Sequence, residues 1–164
     1  MDLPDFNTAS PAALTPELLA CCDVPRWAAA VRDGRPYADV ASLLATAEQA
    51  ARQWTAADVD RALDAHPRIG ERAHRPGAEA GWSQHEQSGV DRDAGTRRAL
   101  AEGNRAYEQR FGRVFLICAT GLSGAEVLAS LRSRLANDEQ TEAAVVAEEL
   151  RRIALLRLRR VVAA

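Results

Sequence analysis

The run NDEQTEAAVVAEELRRIALLRLRRV, residues 137–161, decides the fold class. It contains no Pro or Gly, and its Ala, Leu, Arg and Glu are strong helix formers. Asn137 to Gln140 opens the helix, and Val146, Leu150, Ile153 and Val161 return at helical spacing. At about 100° per residue, Arg157 falls near the middle of that apolar stripe, while Arg152 and Arg159 face the other way. A guanidinium on a buried stripe needs either an acidic partner or an anionic ligand. Both readings are open.

Working outward, Pro and Gly divide the rest of the chain into helical pieces. Asn7 to Ser10 offers caps and Pro11 an early helical position for a helix to Leu19. A short helix covers Pro25–Val31 and stops at Asp33-Gly34. Val40, Leu43, Leu44 and Ala47 mark a helix over Val40–Ala51. Thr55 caps a helix over Ala56–Ala65, which His66-Pro67 ends because a residue before proline is pushed out of the helical region. Residues 67–82, with Pro67, Gly70, Pro76, Gly77 and Gly81, form the longest irregular stretch. Ser83 to Glu86 is a capping box for a helix into the low nineties. Thr96–Phe111 follows, with Gly112 as its stop. Ser123 to Glu126 is a second capping box, for a helix to Leu135. Val114–Ala119 is apolar throughout and too short for periodicity to separate strand from helix; an extended entry followed by a helical turn is expected. The reading is an all-α fold, a single compact domain of about eight helices spanning residues 1–164.

Composition agrees. The chain has 164 residues, 47% of them hydrophobic and 27% charged, within the range of globular domains. A net charge of −2 gives no support to nucleic-acid binding, which leaves a basic footprint. No apolar run approaches the ~20 residues of a membrane span, and Met1 to Ser10 lacks the features of a signal peptide. Cys21, Cys22 and Cys118 are expected as reduced thiols. The last residues carry no peroxisomal signal, and the expected location is cytoplasmic.

Few residues look chemical. His66 ends a helix, where the dipole favours an imidazolium, and a histidine suits proton transfer near neutral pH. The plainer reading is a capping histidine in a loop. Ser83-Gln84-His85-Glu86-Gln87 is explained by a capping box with an exposed His85, yet the first turn of a helix also offers free N–H groups to a ligand. Asn104 shares a stripe with Leu100, Tyr107 and Phe111, and reads as a buried amide satisfying backbone groups. No His-Glu-x-x-His motif, cysteine pair or phosphate loop is present, so no metal or cofactor is expected.

The segment Ala65-His-Pro-Arg-Ile-Gly-Glu71 resembles the signature of the 2-oxo-4-hydroxy-4-carboxy-5-ureidoimidazoline (OHCU) decarboxylases. Phe6-Asn7, Cys21-Cys22 with Trp27, Arg35-Pro36-Tyr37 and Trp54 resemble that family's earlier elements in order and spacing. Ser83-x-x-Glu86-Gln87, Asn104-x-x-Tyr107-x-x-x-Phe111-Gly112, Phe115-Leu-Ile-Cys-Ala119 and Ile153-x-x-Leu156-Arg157-Leu158 resemble the later ones. Arg113 departs from it, standing where many relatives have an aromatic residue.

The resemblance implies an all-α homodimer without a cofactor, converting OHCU to (S)-allantoin and carbon dioxide in urate degradation. It makes His66 the catalytic histidine and Glu86 a residue lining the substrate site, which we assign with His66 to proton movement. Pro67, Ser83, Gln84, His85 and Gln87 would line the substrate site. Phe115, Leu116, Ile117, Cys118 and Ala119 would form a segment that meets the ligand largely through backbone groups. Arg157 would help to hold the substrate. The partner is then a small molecule, with no nucleic acid and no membrane. Two rivals are a lyase for a related ureido acid on the same scaffold and a non-enzymatic helical interaction module.

Overall fold

A computed structural model describes residues 1–66, 68, 69, 82, 85, 88 and 93–163. Among them are eight helices and no strand: α1 Leu3–Thr8, α2 Pro11–Cys21, α3 Pro25–Asp33, α4 Val40–Ala51, α5 Ala56–Asp64, α6 Ala94–Phe111, α7 Gly124–Arg134 and α8 Glu139–Val161. The all-α expectation therefore holds. The eight are not the eight read from sequence. Of the helix expected from Ser83, the described residues are His85, which is helical, and Ser88, which is in a turn; Trp82, just before it, is also helical. In its place α1 is new: Asp2 accepts the Asp5 N–H and Pro4 stands in the first turn, so a six-residue helix forms where only caps were expected.

Local chemistry explains the other boundaries. Ser10 accepts the Ala13 N–H to start α2, which runs two residues beyond Leu19. Thr55 and Asp58 exchange bonds at the start of α5. Ser123 and Glu126 form the expected capping box. α6 begins two residues before Thr96 because Asp93 takes the cap, accepting the Thr96 N–H. Gly112 ends α6 in the left-handed conformation, at φ 66°, which costs glycine nothing. None of the described helices is long and apolar enough to cross a membrane.

The contacts divide the chain into two units, one of residues 1–62 and 150–164 and the other of residues 63–149. In the first, Phe6, Leu14, Leu18, Trp27, Val31, Leu43 and Ala47 are buried. Asn7 brackets Tyr37 with two bonds, its amide donating to the Tyr37 carbonyl and accepting the Tyr37 N–H. Arg35 donates to the carbonyls of Phe6 and Ala9, and the Tyr37 hydroxyl donates to Val31. The motif pieces Phe6-Asn7 and Arg35-Pro36-Tyr37 thus tie α1 to the loop after α3. The Trp27 indole donates to the Ala47 carbonyl, and Trp54 meets Trp27 edge-on at 6.3 Å.

The second unit has its own core of Ile69, Leu100, Tyr107, Phe115, Ile117, Ala119, Val127 and Leu131, with α6 packed on α7. Gly103 lets that approach happen. A Cβ there would stand 2.7 Å from a methyl of Leu131.

Candidate active site

His66 is buried, 9% exposed, two residues beyond the end of α5, and its N–H donates to the Leu63 carbonyl. The residues after it are fastened to α6. Arg68 makes a two-pronged ion pair with Glu108, its second bond 2.9 Å long. The Asn104 amide donates to the Ile69 carbonyl at 3.1 Å. That guanidinium also holds the Glu108 carboxyl below its ordinary range. Asn104 and Glu108 are four residues apart and so share one face of α6. They fix the turn in which His66 stands.

The Phe115 to Ala119 segment is neither strand nor helix. The helical turn expected there is absent. Instead Leu122 donates to the Ala119 carbonyl across a reverse turn that carries Gly121 at φ 82°. The reason lies in the segment's neighbours, which take backbone groups that a helix would have paired internally. The Leu116 carbonyl accepts from Arg134 at 2.6 Å, and the Cys118 N–H donates to Glu149 at 2.7 Å. The side chains of Phe115, Ile117 and Ala119 alternate into the core of this unit. They act as packing, and the backbone is the polar edge of the segment.

Behind it lies a buried ion network. Glu142 is fully buried and Arg134 nearly so. Two Arg134 nitrogens reach one Glu142 oxygen at 2.8 and 2.6 Å, and Asn137 donates to the other at 2.8 Å. The Tyr107 hydroxyl donates to the same carboxylate, and the guanidinium lies over the Phe115 ring, 4.6 Å from its centre. Sequence reading missed this network, though a signal existed. Glu142 is one turn before Val146 on the stripe that holds Arg157, and Arg134 continues the spacing of Val127 and Leu131.

Burial and the bond to Glu142 both push the Tyr107 phenol well above its ordinary 10.0. The fold therefore favours the neutral phenol. The stability this contributes is complete below about pH 10 and is lost as pH rises toward the raised value. Urea unfolding midpoints measured across pH 8 to 12 should fall more steeply for the natural chain than for Tyr107→Phe.

In the first unit, Arg157 is fully buried, and Arg152 and Arg159 are exposed, as the stripe required. An Arg157 nitrogen lies 3.4 Å from the Ala20 carbonyl, in the last turn of α2, where a helix favours a cation. His85 is exposed. Pro67, Ser83, Gln84, Glu86 and Gln87 lie outside the described residues. Cys21 and Cys22 are buried, Cys118 is half-buried, and none is in a disulfide. Among the described residues no three His, Cys, Asp or Glu side chains are grouped to hold a metal ion.

The family model for OHCU decarboxylases matches residues 7–159. The chain belongs to the OHCU decarboxylase family. It is similar to an OHCU decarboxylase of Amia calva, 32% identical over 141 residues, which cover 84% of this chain and 81% of that one. It is also similar to the uric acid degradation bifunctional protein TTL of Arabidopsis thaliana, 27% identical over 87% of this chain and 45% of that protein. In structure it resembles an OHCU decarboxylase crystallised in the presence of (S)-allantoin. The TM-score is 0.77 and the identity 28%, covering 90% of this chain and 98% of the other. Membership makes this chain a carboxy-lyase of urate degradation.

Proposed function

We propose that this chain decarboxylates OHCU to (S)-allantoin and carbon dioxide, with His66 as the acid–base group. The observation that carries the reading is a buried histidine at a helix end, in a turn fastened to α6 through Asn104 and Glu108. A histidine held in place by its surroundings is suited to proton transfer.

The substrate's own chemistry sets the tasks. One carbon carries both hydroxyl and carboxylate, and its ring neighbour is an imine. When the bond to the carboxylate breaks, its electron pair becomes a carbon–carbon double bond. The imine pair moves onto the ring nitrogen, which takes a proton, and carbon dioxide leaves. The resulting enol loses its hydroxyl proton as the carbonyl forms, and the former imine carbon takes a proton on one face. The imine is therefore the electron sink, and no cofactor is required. His66 and Glu86 handle the protons at the hydroxyl and the carbon. Gln87 reads the ureido edge. Ser83, Gln84, His85 and Pro67 line the substrate site. Arg157 supplies positive charge to a polar group of the substrate, and the backbone of Phe115 to Ala119 contacts the ligand. Each interaction orients the substrate or stabilises the developing enol. A homodimer in the cytoplasm completes the reading, and light scattering checks the dimer.

A panel of OHCU and related ureido acids, assayed for carbon dioxide release, tests the assignment. OHCU should be turned over far faster than the others. A preference for another ureido acid would move the activity to the rival lyase reading, and release from none would favour an interaction module.

A further inference from the structure

We propose that Glu149 and Arg134 are positioning residues that aim the peptide groups of Ile117 at a ureide ligand. The inference rests on the reading that Phe115 to Ala119 contacts substrate. Among the described residues the one cis peptide is Arg35–Pro36, so the peptides on either side of Ile117 are trans and planar. In a trans peptide the carbonyl and the N–H point in opposite directions. Arg134 holds the Leu116 carbonyl at 2.6 Å, so the Ile117 N–H points away from Arg134. Glu149 holds the Cys118 N–H at 2.7 Å, so the Ile117 carbonyl points away from Glu149. The Ile117 side chain is committed to the core. Among the described residues neither the Ile117 N–H nor its carbonyl has a hydrogen-bond partner. One residue thus offers a donor and an acceptor in fixed directions, the complement of the carbonyl and N–H of a ureide edge. Burial makes such groups costly to leave unpaired, and a ligand would pair them.

Arg134 is itself fixed by Glu142 and Tyr107, so changing it disturbs the core. Glu149 is half-buried and is the better probe. Glu149→Ala should raise KM for OHCU and Kd for (S)-allantoin about tenfold, since a hydrogen bond involving a charged group is lost. Its kcat should stay within about twofold, because the contact serves ground and transition states alike. Glu149→Gln keeps an acceptor oxygen and should remain within about threefold of the natural chain. Glu149→Asp, one methylene shorter, withdraws the acceptor while keeping the charge, and should follow the Ala variant.

Folded Glu149→Ala with unchanged KM and Kd would overturn the inference, as would equal impairment in Glu149→Gln. The amide resonance of Ile117, followed by NMR during titration of the natural chain with (S)-allantoin, separates two failures. No movement at saturation would remove the reading of the segment as ligand-contacting, and the inference with it. Movement, together with unaltered binding by Glu149→Ala, would remove the positioning role alone.

Discussion

His66→Ala should lower kcat for OHCU by about 10² to 10⁴, the usual contribution of a positioned acid–base group, and leave a folded, helical protein. Two features separate these effects. The imidazole stands beyond the end of α5, so its loss removes no helical hydrogen bond. The turn around it keeps its own anchors, Asn104 to the Ile69 carbonyl and Glu108 to Arg68. Truncating a buried ring still leaves a small void, and a destabilisation of roughly 1–2 kcal/mol is expected. A 164-residue chain with the usual 5–15 kcal/mol of stability tolerates that. The measurement is turnover of freshly generated OHCU, with far-ultraviolet circular dichroism as the control for folding. Because the role is proton transfer, His66→Asn, which restores a polar side chain without a titratable ring, should rescue little. A folded His66→Ala variant with near-normal, stereospecific turnover would remove the histidine from the mechanism.

Arg134→Met should have the largest effect on stability. The substitution keeps a long apolar stem and deletes the guanidinium that answers Glu142, which is fully buried. Breaking a buried ion pair from one side strands the other charge and costs about 3–5 kcal/mol. For a domain of this size that corresponds to a fall in Tm on the order of 10 °C. Tyr107 and Asn137 would still bond to the carboxylate, and they keep the loss from being larger. The double change Arg134→Met with Glu142→Gln should recover a substantial part, because no charge is then left behind. Thermal melts of the two variants measure the difference. A single variant within 1 kcal/mol of the natural chain would mean that the network contributes little to the fold.

These two residues also mark how far the sequence could be read. The helix end just before His66 was legible because a helix signal and a following proline converge there. Arg157 was legible because a charge interrupts an apolar stripe, and its complete burial follows from that register. Glu142 obeys the same periodicity, yet it stands in the first turn of α8, where an acidic residue has an ordinary explanation as a partner of the helix dipole. Its burial is set by Arg134 and Tyr107, from other helices, and those contacts are tertiary. The 114–119 run shows the same limit. Its apolar composition announced burial, but whether its backbone would bond within itself or to side chains depended on Arg134 and Glu149. α1 was overlooked because six residues give too short a stripe to read, and its place depends on Asn7 and Arg35. Helix starts were the most readable feature, since Ser10, Thr55 and Ser123 cap through bonds made within three residues.

Stereospecific decarboxylation is tested by following freshly generated OHCU by circular dichroism with and without the protein. A rapid rise of the (S)-allantoin signal, dependent on folded protein, is the predicted result. The same slow, signal-free decay in both samples would contradict it.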